Sequence, residues 1–85
     1  MDPERINDPM VTALSIVLRR HRQARKLSQE ELAHLAGRSM RYISLLESCR
    51  HQPTLDTLQR ISGALDLSLS QLVLEMEAEI SNPKR

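Results

Sequence analysis

Five side chains between residues 40 and 48 recur at steps of three and four, the spacing that places them along one strip of a helix. They bring together a guanidinium, two hydroxyls and two apolar groups: Met40, Arg41, Ser44, Leu45 and Ser48. An arginine on such a strip can bind guanine O6 and N7 bidentately, and an exposed leucine or methionine can contact thymine methyl groups. Ile43 and Leu46 point the other way, toward a core. The pattern therefore predicts a helix whose outer strip contacts base edges in the major groove of DNA.

Two short helices that meet at a glycine are predicted to hold this strip in place. Ser28 and Glu31 form a capping box at the start of the first helix. A core stripe on that helix is expected from three apolar residues at helical spacing: Leu32, Leu35 and Ala36. Gly37 ends the helix where a left-handed backbone is needed, and Ser39 caps the next one. The pattern predicts a helix-turn-helix at about 29–48 and indicates sequence-specific DNA binding.

The composition, which contains few β-branched runs, favours an all-α domain over a sheet. The 85 residues include fourteen leucines but no tryptophan or phenylalanine, and Tyr42 is the single aromatic residue. Caps, prolines and apolar periodicity predict five helices, at about 10–25, 29–36, 39–47, 55–65 and 69–81. The fourth helix is expected to bury Leu55, Leu58, Ile61 and Leu65. We expect a flexible arm at 1–9, one domain at 10–81 and a tail at 82–85.

Positive charge is concentrated in the middle of the chain. Residues 19–50 carry eight Lys or Arg against three acids, an excess of five, although the whole chain has a net charge of only +1. The N-terminal residues and the last predicted helix are acidic. A solvated helix face would also explain such a run, but its position beside the two predicted short helices favours a surface that binds DNA phosphates.

The sequence contains no motif that indicates an enzyme. There is no glycine-rich phosphate loop, no pair of carboxylates set for acid–base chemistry and no nucleophile with a base at motif spacing. His34 and His51 lack cysteine or carboxylate partners at ligand spacing, so no metal and no other cofactor is expected. The single cysteine excludes an internal disulfide, and no apolar segment is long enough to span a membrane. We therefore expect a cytoplasmic binding protein.

Three segments of the chain, in order and at matching spacing, are similar to a known family. They are LSQEELAHLAG at 27–37, RYISLLE at 41–47 and PTLDTLQRISGALDLSLSQL at 53–72. They resemble the helix-turn-helix domain of the lambda and Cro repressor kind, the Xre family, over residues 12–75. The resemblance implies a compact five-helix bundle in which helix 3 enters the major groove, and dimers that bind palindromic operators.

Several site residues follow from this resemblance. Gln29, the first residue of helix 2, matches a glutamine that contacts a phosphate and braces a base-contacting side chain. Arg22 and Glu47 match an ion pair that joins helix 1 to the end of helix 3. Ala33 matches the place where helices 2 and 3 cross closely. The expected DNA contacts are Arg19, Arg22, Gln29, Arg38, Ser39, Met40, Arg41, Tyr42, Ser44, Leu45, Ser48 and Arg50.

Four positions carry competing interpretations. Arg38 stands where the family usually has a buried apolar residue, so its stem is expected along the core and its head in solvent or on a phosphate. Cys49 stands where a glycine or asparagine usually adopts positive φ, which predicts another shape for the loop at 49–53. A thiol beside Arg50 is either inert or a redox sensor. Ser39 is either a phosphate contact or only a cap, and Tyr42 either packs on a neighbouring helix or reaches a phosphate.

Together these features predict a small transcriptional regulator, a repressor or controller protein of the restriction–modification or phage type, acting on double-stranded DNA. Helix 5 has more apolar surface than one bundle needs, so a homodimer is expected to form through Leu74, Met76 and Ile80. The regulator would occlude or assist RNA polymerase, and no small-molecule effector is expected. The alternatives are an antitoxin-type DNA-binding regulator and a protein-interaction module that kept the fold without binding DNA. In that last case Met40 and Leu45 would cover a protein partner.

Overall fold

Each helix begins directly after a polar side chain that accepts a hydrogen bond from its first turn. The computed structural model describes residues 5–82, which form five helices: α1 Pro9–Ala24, α2 Gln29–Ala36, α3 Met40–Glu47, α4 Leu55–Ala64 and α5 Leu69–Ser81. Their caps are Asp8, Ser28, Ser39, Thr54 and Ser68. At α2 the capping box is complete, since the Ser28 N–H also donates to the Glu31 carboxylate at 2.8 Å. The all-α fold predicted from the sequence is confirmed.

The fully buried side chains are aliphatic and lie where the five helices meet. α1 packs against α3 and α5, α2 packs against α3 and α4, and α4 packs against α5. Side chains that are at most 1% exposed are Val17, Leu18, Leu32, Ile43, Leu46, Ile61, Leu65 and Leu72. Burying one such side chain is worth about 1.5–3 kcal/mol, so α2 and α3 are held from behind by a substantial core. Within residues 5–82 no helix has the length and apolarity needed to cross a bilayer.

Two leucines that the periodicity predicts to be buried lie on the surface instead. Leu35 on α2 is 56% exposed, and Leu55, the first residue of α4, is 77% exposed. Their spacing fits an apolar stripe, but a stripe is buried only where another helix covers it. Leu32 and Ala36 on α2, like Ile61 on α4, do lie in the core. Spacing along one helix therefore misplaces the residues at the edge of each stripe.

Cys49 adopts the left-handed conformation, with φ of +61°. The sequence predicts another shape for this loop, because a cysteine disfavours positive φ. The Cys49 carbonyl accepts from the Ile6 N–H at 2.6 Å, and the next N–H, of Arg50, donates to the Leu45 carbonyl at 2.9 Å. Its side chain is buried, and Sγ donates to Ser15 Oγ at 3.3 Å. These contacts offset the cost of a left-handed residue, about 1–2 kcal/mol. They also bury the thiol that a redox sensor would have to expose.

Part of the N-terminal arm predicted at 1–9 belongs to the folded domain. Ile6 is bonded to Cys49, Asp8 caps α1, and Pro9 is the first residue of that helix. Proline suits the first helical position because its missing N–H would have no partner there. Residues 1–4 of the arm, and residues 83–85 of the tail predicted at 82–85, lie outside the described residues. Asn82 is the C-cap of α5.

Close packing of α2 can be tested at Ala33, which is 2% exposed. A larger side chain at a buried position forces its neighbours to shift, so Ala33→Leu should lower the free energy of unfolding by about 1–3 kcal/mol. His34→Leu places the same side chain on the exposed side of α2 and should change the free energy by no more than about 0.5 kcal/mol. Urea denaturation measures both variants. Equal effects would show that α2 is not closely packed at Ala33.

Candidate nucleic-acid interface

The turn between α2 and α3 is closed by main-chain hydrogen bonds around Gly37. This residue has φ of +68° and ψ of +35°, the left-handed conformation that favours glycine. Its N–H donates into the last turn of α2 at 3.2 Å, and the Arg38 N–H donates to the Ala33 carbonyl at 2.9 Å, which completes a Schellman motif. Ser39 then accepts from the Tyr42 N–H at 3.1 Å and starts α3. The direction of α3 is thus set by local sequence.

α3 presents the strip of side chains that its spacing defines. Met40 is 54% exposed, Arg41 and Ser44 are exposed, and Leu45 and Ser48 are half-buried at the edge of the strip. The Ser48 hydroxyl donates back to the Ser44 carbonyl at 2.9 Å. Within residues 5–82 the Arg41 side chain has no hydrogen bond or ion pair. Its guanidinium is therefore available to a partner outside the chain.

A buried carboxylate at the end of α3 joins three helices. The Glu47 side chain is 2% exposed, and Arg22 of α1 donates to both of its oxygens, from Nε at 2.6 Å and from Nη2 at 2.9 Å. Gln29 of α2 donates Nε2 to Oε1 at 3.0 Å. Burial alone would raise the pKa of the Glu47 carboxyl, but the hydrogen bonds from Arg22 and Gln29 outweigh it and hold that pKa below its usual value. The structure thus brings together the ion pair that the resemblance implies.

Two arginines of α1, Arg22 and Arg19, differ in how much of the side chain is exposed to solvent. The Arg22 side chain is 13% exposed, and its third nitrogen, Nη1, donates to the Leu27 carbonyl at 2.9 Å. Each of its three nitrogens donates once within the protein, and its expected contact with DNA stays a prediction. Arg19 is 51% exposed and donates to the Glu47 carbonyl at 2.8 Å, at the C-terminus of α3. It stays a candidate for a phosphate contact.

Arg38 is engaged within the protein, while its expected contact with DNA stays a prediction. Its Nη2 donates to Asp56 Oδ2 at 3.1 Å, and Nε and Nη2 donate to Thr57 Oγ1 at 3.3 and 3.2 Å. Asp56 also accepts from Arg60 at 3.0 Å. Hydrogen bonds from Arg60, and then from Arg38, hold the pKa of the Asp56 carboxyl below its usual value. Arg38 therefore joins the turn after α2 to the start of α4.

Of the other residues expected to contact DNA, Tyr42 packs against the protein, whereas Ser39 and Arg50 are exposed. Tyr42 is half-buried against the core, and its ring meets that of His51 edge-on, with centroids 4.7 Å apart. Ser39 is a helix cap, and Arg50 is exposed. Among residues 5–82 no group of three His, Cys, Asp or Glu is placed to hold a metal ion. The chemistry that this surface offers is that of hydrogen-bond donors and apolar contacts.

α5 is joined to α1 by a charged cluster that the sequence interpretation missed. Arg20 donates to Glu75 at 2.9 Å and to Glu79 at 2.8 Å, and His21 Nε2 lies 2.9 Å from Glu75. Hydrogen bonds from His21 and Arg20 hold the pKa of the Glu75 carboxyl below its usual value, although burial alone would raise it. The sequence does contain one sign of this cluster, because Glu75 and Glu79 are one helical turn apart and lie on the same face of α5. Only the fold shows that α1 faces them.

The three residues predicted for a dimer interface are not equivalent in the structure. Met76 is 4% exposed and belongs to the core, so the structure removes it from the predicted interface. Leu74 is 65% exposed and Ile80 is 42% exposed. These two large apolar side chains are open to solvent on α5.

Comparison with known proteins finds a family whose model covers this surface, and a related protein. The family described as helix-turn-helix, HTH_3, matches residues 18–72, which contain α2, the turn and α3. The immunity repressor protein of Bacillus phage phi105 is 41% identical over 54 residues, which are 64% of this chain and 38% of that protein. The chain thus spans well under half the length of this relative.

Solved structures share the fold over most of the chain. The clp gene regulator ClgR from Corynebacterium glutamicum has a TM-score of 0.80 and 26% identity, covering 93% of this chain and 81% of that one. The restriction-modification controller protein C.AhdI from Aeromonas hydrophila has a TM-score of 0.70 and 31% identity, covering 73% of this chain and 94% of that one.

Proposed function

Since the chain belongs to the helix-turn-helix family HTH_3, DNA-binding regulators of the Xre kind, we propose that it is a repressor or controller protein acting as a dimer on a palindromic operator. In this proposal α3 lies in the major groove with Met40, Arg41 and Ser44 toward the base edges. The proposal rests mainly on Arg41. Its exposed guanidinium has no partner within residues 5–82 and stands on a helix that a cap and a buried ion pair hold at its two ends.

Contacts with the phosphate backbone are proposed for two residues. Gln29 is the first residue of α2, and Arg19 of α1 bonds to the end of α3. Arg19 is half exposed, and Gln29 keeps an amide N–H beyond the one that it gives to Glu47. Phosphate contacts supply affinity and fix the register of a protein on DNA, whereas contacts to base edges supply the sequence preference. The surface thus has candidates for both kinds of contact.

A second copy of the chain is proposed to pair with the first through α5. One helix contacts only a few base pairs, which is too few to select a site in a genome. The exposed Leu74 and Ile80 supply an apolar surface on a helix that packs against α1 and α4. Pairing through α5 would set the two α3 helices about 34 Å apart, so that each meets one half-site on the same side of the duplex.

The proposal is tested first at Arg41. An operator is selected from a pool of random duplexes with the full-length protein, and Kd is then measured by fluorescence anisotropy. Arg41→Ala should fold normally and lose about 1–3 kcal/mol of binding to this operator, because a bidentate contact to a base is removed. The base preference should relax at one position in each half-site.

Arg19→Ala is the matched control, since it removes the same charge at a proposed phosphate contact. It should weaken binding to all sequences alike and reduce the salt slope by about one unit. If Arg41→Ala kept the affinity and base preference of the wild type, α3 would not be the base-contacting element. A wild-type protein that selected no sequence at any salt concentration would favour the protein-interaction module instead.

A further inference from the structure

The orientation of the Gln29 amide is fixed by its partner. Nε2 lies 3.0 Å from Glu47 Oε1. Glu47 also accepts from Arg22, so it is ionised and can only accept hydrogen bonds. The amide must therefore turn its NH₂ group, and not its carbonyl, toward Glu47. The two ways of placing an amide, which are equivalent by shape alone, are here distinguished by chemistry.

Glu47 cannot follow Gln29 if that side chain moves. Arg22 holds both carboxylate oxygens, and the same guanidinium donates to the Leu27 carbonyl, one residue before the cap of α2. The Glu47 side chain is 2% exposed, so it does not itself reach a ligand. Any influence of Glu47 on a bound ligand has to pass through a neighbouring side chain.

We propose that Glu47 is a positioning residue for DNA binding, which holds Gln29 so that its second N–H is presented to an operator phosphate before DNA arrives. This inference rests on the proposed function. A glutamine on a surface loses side-chain freedom when a ligand fixes it, and that loss lowers affinity. With one N–H already bound to a rigid acceptor, Gln29 has less freedom to lose. Glu47 thus contributes to affinity although it lies beneath the surface.

A double-mutant cycle on DNA binding tests the proposal. Wild type, Glu47→Gln, Gln29→Ala and the double variant are titrated with the selected operator, at a temperature where circular dichroism shows each to be folded. Glu47→Gln keeps the side-chain shape but replaces the fixed acceptor by an amide that can turn either face to Gln29. It should weaken binding about three- to tenfold when Gln29 is present, and less than about twofold when position 29 is alanine. Gln59→Ala, on the exposed side of α4, should leave binding unchanged.

A measurement on the wild type covers the case in which Glu47→Gln does not fold. In ¹⁵N NMR spectra the side-chain amide of Gln29 should show one proton shifted downfield, as expected for a hydrogen bond to a carboxylate. On addition of operator DNA the other amide proton should shift and the first should stay in place. Two amide protons with the chemical shifts of a solvent-exposed glutamine in the free protein would overturn the proposal.

The outcomes separate this inference from the proposed function. If Glu47→Gln caused equal losses in the wild type and in the Gln29→Ala variant, Glu47 would act on the fold alone, while operator binding itself would stand. If the wild type bound no operator, the proposed function would fail, and the positioning role would fail with it.

Discussion

Replacing Arg22 by methionine should lower the free energy of unfolding by about 3–5 kcal/mol, the range for removing one partner of a buried ion pair. The variant leaves the 2% exposed Glu47 side chain with the Gln29 amide and with Arg19, whose Nε lies 3.6 Å from Oε1, but without the cation that donates to both oxygens. A charge buried without its partner is strongly disfavoured. Urea denaturation at neutral pH measures the loss, which is a large share of the stability of a small domain.

The same variant should change how stability depends on pH. In the wild type the pKa of Glu47 is held below its usual value, so the ion pair stabilises the fold above that value and loses its effect as the pH falls. Without Arg22 the hydrogen bond that does most to lower the pKa of Glu47 is lost, so that pKa should rise. Protonation then relieves the buried charge, so the gap in stability between Arg22→Met and the wild type should narrow as the pH is lowered toward about 4.

Arg20→Met provides a matched control two residues earlier on the same helix. Arg20 is 41% exposed, and it pairs with Glu75, which is 32% exposed, and with Glu79, which is 9% exposed. Ion pairs that solvent reaches contribute only about 0–1 kcal/mol. Arg20→Met should therefore cost less than Arg22→Met. Equal losses from the two variants would show that Glu47 is solvated and that the end of α3 is not held by a buried pair.

Disrupting the proposed dimer should have the largest effect on operator binding. Leu74→Glu combined with Ile80→Glu places charges on both exposed apolar residues of α5 and should give a monomer in sedimentation experiments at micromolar concentration. A monomer binds each half-site alone and loses the gain in affinity from linking two contacts, so operator affinity should fall about 100-fold or more. The fold should persist, because neither side chain belongs to the core.

Glu77 supplies the control for this experiment. At about 100° per residue it lies between Leu74 and Ile80, roughly 60° around α5 from each. Glu77→Ala removes a carboxylate from the middle of the proposed interface, so it should keep or strengthen the dimer. A dimer that survived the double Glu substitution would place the interface elsewhere. A wild-type monomer that bound a single non-palindromic site tightly would exclude the dimer altogether.

The helix boundaries could be predicted from the sequence because their signals are local. Ser28, Ser39, Thr54 and Ser68 each cap the helix that the pattern places after them, and Gly37 adopts the left-handed turn. A cap bonds within one turn of chain, so no knowledge of the tertiary structure is needed. The strip on α3 was predictable for the same reason, since helical spacing alone defines it.

Positions that depend on contacts between helices were not predictable in this way. Leu35 has the spacing of a core residue, and only the arrangement of the helices leaves it exposed. Arg38 finds Asp56 eighteen residues away, and Cys49 keeps a positive φ because Ser15 and Ile6 bond to it from another part of the chain. The Gln29–Glu47 bond likewise joins residues whose spacing carries no motif. The resemblance supplied the two residues but not the bond between them.

The bonds of Arg20 to α5 also shape the electric field of the whole molecule. Arg19 and Arg20 are adjacent, yet one donates to the end of α3 and the other is neutralised by two glutamates of α5. The positive excess of residues 19–50 is thus left near the helices that we propose to face DNA, although the net charge of the whole chain is only +1. Close to a polyanion, within the roughly 8–10 Å over which salt allows the field to act, such an uneven charge distribution would turn the molecule before contact. A nearly neutral protein can then meet DNA in the correct orientation without strong attraction to every other polyanion.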